Sequence, residues 1–153
     1  MHHRALINHT AIVTGASSGI GLAVAEALAD AGAAVVINYH SNGESADELV
    51  ARITGRQGKA IAVQADVAQE DEVARLFDAA GEAFGRVDIV VSNSGVQKDA
   101  AIAEMSLEDW NTVIDINLTG QFLCAREAVR RFRKQPADAR PARSAGTIIA
   151  MSS

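Results

Sequence analysis

The chain has 153 residues, 48% of them apolar and 22% charged, and a formal net charge of −5. That length is enough for one domain with a sizeable core, and the acidic balance leaves no cationic surplus for a nucleic-acid backbone. The single cysteine, Cys124, can form neither an internal disulfide nor a zinc site by itself, which fits a core thiol in a reducing compartment. No apolar run approaches the ~18 residues of a membrane span, and no secretory pattern opens the chain. The expectations are a cytoplasmic location, no membrane or nucleic-acid partner, and no metal.

Residues 1–9, with His2 and His3, read as a short polar leader, and residues 10–153 as one domain. Apolar, β-branched runs recur at Ala11–Val13, Ala34–Ile37, Ala60–Val63, Val87–Val91 and Thr147–Ala150. Longer segments between them carry helical periodicity. Ile20, Ala23, Val24, Ala27, Leu28 and Ala31 form one such face, stopped by Gly32. Val73, Leu76, Phe77, Ala80 and Phe84 form another before Gly85. Ser106 and Asp109 resemble a capping box that opens a long helix through Trp110, Val113, Ile114, Leu118, Phe122 and Val129. The cationic stretch Arg130–Arg143, with Pro136 and Pro141, reads as an exposed loop.

Strands that are almost wholly apolar need cover on both faces, as in a parallel sheet. Their alternation with helices predicts an α/β fold, a doubly wound parallel sheet of Rossmann type. The last run lies at the chain's end with no helix after it. The expectation is therefore a sheet truncated after its fifth strand, incomplete on its C-terminal side.

Residues Ile12 to Gly21 read as strand, turn and helix start, with glycines at 15, 19 and 21. Gly15 permits a backbone turn closed to other residues. Gly19 clears a path for a pyrophosphate, and Gly21 lets the helix lie close on the sheet. The helix start then offers free N–H donors and a positive dipole end, to which the Ser17 and Ser18 hydroxyls add. A P-loop is excluded because no lysine follows the glycines. The string Gly15-Ala16-Ser17-Ser18-Gly19 also matches G-x-S-x-G, which would make Ser17 a hydrolase nucleophile. Against this, the only downstream histidine is His40, and no earlier strand loop is present to supply an oxyanion donor.

The spacing Thr14-Gly15-x-x-x-Gly19-x-Gly21 resembles the short-chain dehydrogenase/reductase family. Asp66-Val67 resembles that family's adenine contact. Ser92-Asn93-Ser94-Gly95 resembles its Asn-Asn-Ala-Gly motif, matching at Asn93 and Gly95 and departing at Ser92 and Ser94. Asn117-Leu118-Thr119-Gly120 resembles the segment carrying the catalytic asparagine, and the strand ending Met151-Ser152-Ser153 the one that delivers the catalytic serine. Within the family, Val36–Tyr39 and Asp109–Asp115 look most like glucose 1-dehydrogenases, with 3-oxoacyl reductases sharing much of the pattern.

The resemblance implies hydride transfer between a nicotinamide cofactor and an alcohol or carbonyl carbon, a sugar such as glucose being one substrate. It assigns Ser153 to the substrate oxygen and Asn117 to a proton relay. The cofactor would be held by Thr14, Gly15, Ser17, Ser18, Gly19, Ile20, Gly21, Asn38, Tyr39, His40, Asp66, Val67, Asn93, Ser94 and Gly95. It also implies a homotetramer built partly on the long helix after Ser106. The family's Tyr-x-x-x-Lys acid/base pair is not found: the only tyrosine, Tyr39, has Gly43 four residues on. No carboxylate ends the second strand, where one would bind a ribose 2′-hydroxyl and repel a 2′-phosphate. Asn38, Tyr39, His40, Ser41 and Asn42 stand there instead, so NADP or dual NAD and NADP use is expected. The competing expectation is a module that binds a dinucleotide without catalysis.

Overall fold

The computed structural model describes residues 5–136 and 145–152. Its elements are β1 (Thr10–Val13), α1 (Gly19–Asp30), β2 (Ala34–Tyr39), α2 (Gly43–Gly55), β3 (Lys59–Gln64), α3 (Glu70–Phe84), β4 (Ile89–Ser92), α4 (Leu107–Ile114), a π-helical turn (Asp115–Thr119), α5 (Gly120–Lys134) and β5 (Thr147–Ala150). All strand pairs are parallel, in the order β3-β2-β1-β4-β5. The expected doubly wound sheet is present, and the order reverses between β1 and β4.

Central strands β1 and β4 are buried throughout, as their apolar sequences require. One layer packs Val13, Val35, Ile37 and Val91 against Ala25, Ala46, Leu49 and Ile53 of α1 and α2. The other packs Ile12, Val36 and Val90 against Val73, Leu76 and Phe77 of α3 and Leu123, Cys124 and Ala128 of α5. Cys124 is the core thiol expected of it, 1% exposed. Residues 5–9 lie against this body: Leu6 donates its N–H to the Ala31 carbonyl at 2.9 Å and packs on the first layer.

Several boundaries differ from expectation, for identifiable reasons. Strand β4 begins at Ile89 instead of Val87, because the Gln135 side chain takes both polar groups of Val87: Oε1 accepts from its N–H at 2.6 Å and Nε2 donates to its carbonyl at 2.8 Å. The stretch from Arg130, expected as loop, is helical through Lys134. Arg131 bonds Glu127 one turn back and Asp78 on α3, and three cations in the last turn complement the helix dipole. Residues 137–144 lie outside the described residues.

The long helix expected after Ser106 is interrupted by the π turn. Its start is capped as predicted: Ser106 Oγ accepts from Asp109 N at 3.0 Å and donates to Asp109 Oδ2 at 2.9 Å. The apolar stripe read along this helix, however, faces outward. Trp110, Leu118, Phe122 and Val129 are 40–63% exposed, while Leu123, Cys124 and Ala128 face the sheet. Periodicity reveals an apolar face but not which neighbour covers it. Strand β5 is exposed along its length and pairs only with β4 among the described residues.

Candidate dinucleotide site

A cavity of about 380 Å³ opens at the carboxyl ends of the strands, on the side where the strand order reverses. Clefts at such switch points are where open α/β sheets bind their ligands. Its wall comes from the turn after β1 (Gly15, Ser17–Ile20), the end of β2 (Asn38, His40, Ser41), the loop after β3 (Ala65–Val67), the loop after β4 (Asn93–Val96) and Ile116 of the π turn. A larger open recess of about 1350 Å³ lies at the opposite, amino ends of the strands. There the carboxyl ends of α1, α2 and α3 converge, and Arg56 is already paired with Glu26 and Asp30. Helix C-termini repel anions, so the smaller cavity is the better candidate for a phosphate-bearing ligand.

The glycine turn is built as its spacing predicts. Gly15 has φ +61°, and a Cβ there would fall 3.0 Å from the Ser94 backbone. A Cβ on Gly21 would sit 2.4 Å from both the Gly15 carbonyl and Asn93 Nδ2, so only glycine lets α1 start this close to the β4 loop. A Cβ on Gly19, in contrast, would meet nothing within 4 Å. It would project into open space at the helix start. Ser18 precedes α1 without a side-chain cap bond, and the first N–H groups of a helix have no acceptor within it. A pyrophosphate fits this cradle: unclaimed donors, a positive dipole end and no side chain in the way.

Other expected residues brace the site, Asn38 and Asn93 from its wall and Thr14 from behind it. Thr14 does not line the cavity; it is buried, and its Oγ1 accepts from Asn93 N at 2.9 Å and Ser94 N at 3.0 Å. Asn93 Nδ2 returns bonds to the Thr14 and Gly15 carbonyls at 3.0 and 3.2 Å. These pairs latch the first turn to the β4 loop. Asn38 is 1% exposed and fully engaged: Oδ1 accepts from Gly15 N, and Nδ2 donates to the Ala65 and Val63 carbonyls at 3.0 and 3.3 Å. Tyr39 turns away from the cavity, its ring against Gly43.

Asp66 lines the wall and accepts from Ala68 N at 2.9 Å. Val67 packs against Gly120, where a Cβ would approach its Cγ2 to 2.8 Å. Gly95 and Ser94 line the cavity. Among the described residues, the buried Ser92 Oγ has no hydrogen-bonding N or O partner and lies beside the Cys124 thiol. Burial pushes that thiol up to about 12, with the Ser92 contact opposing the shift.

Asn117 sits in the π turn, where the extra residue per turn is a feature often found at functional sites. Its Oδ1 accepts from Val96 N and its Nδ2 donates to Val96 O, which fixes the β4 loop over the cavity. Ser153 lies outside the described residues. Strand β5 carries the chain to this same end of the sheet, where Gln121 Nε2 donates to the Met151 carbonyl at 2.7 Å. Among the described residues, Ser17 makes no hydrogen bond to His40, and no group of three or more His, Cys, Asp or Glu is placed to hold a metal. Ser41, named with the end of β2, lines the site, and so do Val96 and Ile116. Neither periodicity nor motif marks the last two, since only the folded loops bring them together.

A parallel sheet with a glycine turn and a helix start at its switch point defines a Rossmann-like protein. Within that class the chain belongs to the short-chain dehydrogenase family, an oxidoreductase family whose model matches residues 9–153. It is 48% identical over 131 residues to a 3-oxoacyl-[acyl-carrier-protein] reductase from Synechocystis sp., covering 86% of this chain and 53% of the relative. It is 47% identical over 133 residues to glucose 1-dehydrogenase 2 from Bacillus subtilis, covering 86% and 52%. A short chain dehydrogenase from Burkholderia cenocepacia, solved in complex with NADP, superposes with a TM-score of 0.80 at 36% identity, over 83% of this chain and 52% of that one. The chain spans about half the length of these curated relatives. No described helix is long and apolar enough to cross a membrane.

Proposed function

We propose that the chain binds NADP or NAD in the switch-point cavity and serves an oxidoreductase that transfers hydride between the nicotinamide and an alcohol or carbonyl carbon. The observation that carries this reading is the open cradle at Ser17–Ile20 beneath the start of α1. Bound there, the dinucleotide supplies the hydride donor or acceptor. The turn's N–H groups hold its pyrophosphate, Asp66 and Val67 flank its adenine end, and Ser94 and Gly95 border the nicotinamide side. Asn117, which fixes the Val96 loop at the cavity wall, is assigned to a proton relay, and Ser153 to the substrate oxygen.

The reductase and the glucose dehydrogenase match this chain almost equally, at 48% and 47%. Similarity therefore supports the reaction class, and a sugar such as glucose stands as one substrate to be assayed beside 3-oxoacyl compounds. The outward stripe of Trp110, Leu118 and Phe122 supports assembly with further copies, a tetramer in the complete fold. A cytoplasmic setting agrees with a lone, buried, reduced thiol.

A second reading, binding without turnover, is favoured by one fact: no Tyr-x-x-x-Lys lies within these 153 residues. Calorimetric titration with NAD and NADP, followed by assay of hydride transfer, tests both. Binding of either dinucleotide with no turnover by the 153-residue chain alone is the expected result. Binding of neither overturns the proposal, and robust dehydrogenase activity overturns the need for the missing pair.

A further inference from the structure

We propose that Ser45, on the first turn of α2, is a positioning residue for the phosphate cradle. By holding the Ser17 carbonyl outside the cavity, it turns the Ser18 N–H inward, towards the dinucleotide's pyrophosphate. This rests on the dinucleotide reading above and adds to it a residue that lies outside the glycine turn and touches no ligand.

Ser45 Oγ donates to the Ser17 carbonyl at 2.6 Å, across 28 residues of sequence. Ser45 is half-buried and absent from the cavity wall, whereas Ser17 and Ser18 belong to it. The Ser17 carbonyl therefore points out of the cavity. Every described peptide bond is trans, and in a planar trans peptide the next N–H points opposite to the carbonyl. That N–H belongs to Ser18, and among the described residues it meets no acceptor.

The same side of the molecule braces the earlier steps of the turn. Gly15 N–H donates to Asn38 Oδ1 at 3.2 Å, and Ala16 N–H to the Asn38 carbonyl at 2.8 Å. Ser45 continues this row from α2. Its own place is fixed by Asn42, whose Oδ1 accepts from Ser45 N at 3.3 Å. Ser18 has an extended backbone, φ −158°, and makes no side-chain cap bond. Without the Ser45 hydroxyl, the Ser17–Ser18 peptide is free to rotate its carbonyl towards water and its N–H away from the anion. A donor aimed in advance at a charged oxygen binds it more strongly than one that must first be ordered. NAD and NADP carry the same pyrophosphate, so Ser45 acts on both alike and takes no part in choosing between them.

The test is calorimetric titration of the 153-residue chain with NAD, NADP and ADP. Ser45→Ala should weaken all three by about five- to tenfold and leave the NADP-to-NAD ratio unchanged. Ser45→Thr, which keeps the hydroxyl, should stay within about twofold of the wild type. Adenosine, which carries no phosphate, should bind Ser45→Ala and the wild type alike in NMR titrations. ADP should shift the Ser18 amide resonance strongly in the wild type and weakly in Ser45→Ala. Unchanged ADP affinity in a folded Ser45→Ala protein overturns the role of Ser45 alone, and so does an equal loss of ADP and adenosine binding. A wild-type Ser18 amide that ignores bound ADP overturns it too, whether or not Ser45→Ala folds. Failure of the wild type to bind either dinucleotide overturns the dinucleotide reading, and this one with it.

Discussion

Asn117 holds both polar groups of Val96, accepting from its N–H at 2.8 Å and donating to its carbonyl at 2.9 Å. A side-chain amide used this way acts as one more strand of backbone, and it does so from a turn wound wider than an α-helix. Replacing it with alanine frees the Val96 loop. Asn117→Ala should lose about 1–2 kcal/mol in urea unfolding and weaken dinucleotide binding several-fold. Unchanged values in both would mean that the grip does not shape the site.

Asn38 gives a sharper prediction because its position invites a cofactor argument. An aspartate there resembles the carboxylate of NAD-specific folds. Here, however, the buried Nδ2 donates to the carbonyls of Val63 and Ala65, and an aspartate would set oxygen against oxygen. Asn38→Asp should therefore cost about 2–4 kcal/mol of stability. A well-folded Asn38→Asp protein with a clean switch to NAD would refute this.

The glycine turn separates folding from binding. Gly21→Ala drives a methyl into the Gly15 carbonyl and should destabilise by about 1–3 kcal/mol. Gly19→Ala meets no neighbour, so its cost is about 1–2 kcal/mol for the positive φ of 55° alone. The methyl would nevertheless stand where the pyrophosphate approaches. Thermal melts and titrations on both variants should show affinity lost in Gly19→Ala while its fold persists.

Cys124 makes stability depend on alkaline pH. Burial keeps its thiol neutral up to about 12, against 9.0 in the unfolded chain. Above pH 9 the unfolded state releases a proton that the folded state keeps, so stability falls as pH rises, by up to about 1.4 kcal/mol per unit. Below pH 9 the thiol contributes no slope. Cys124→Ala should flatten the alkaline limb in urea titrations from pH 8.5 to 10.5, and the wild-type thiol should resist alkylation until the protein unfolds.

Much of the framework was legible because it is local. Apolar runs marked every strand, and the Thr14–Gly21 spacing carried both the turn and the helix start. Where prediction failed, the cause lay in contacts distant in sequence. Gln135 removed Val87 from β4 across 48 residues. The π turn at Asp115–Thr119 has no residue signature, since one extra residue per turn is set by what the helix must reach. The stripe through Trp110 and Phe122 was visible as a periodicity, but its direction was decided by Leu123, Cys124 and Ala128 on the opposite face. Position alone points to Asn38 and Tyr39 as ligand contacts. In the fold Asn38 lines the cavity but spends its amide as a brace, and the Tyr39 ring packs on Gly43.

The strand order also bears on how the molecule is assembled. Strands β1, β2 and β3 are laid down consecutively and can pair as they emerge, but the other edge of β1 stays bare until β4 arrives, with Ala11 meeting Ile89. The Thr14–Asn93 latch crosses this late seam, and so does the cavity. Long-range pairing of this kind forms slowly. A dinucleotide seated across the seam would bind only the joined form and stabilise it by mass action, acting as a clasp between an early half of the sheet and a late one.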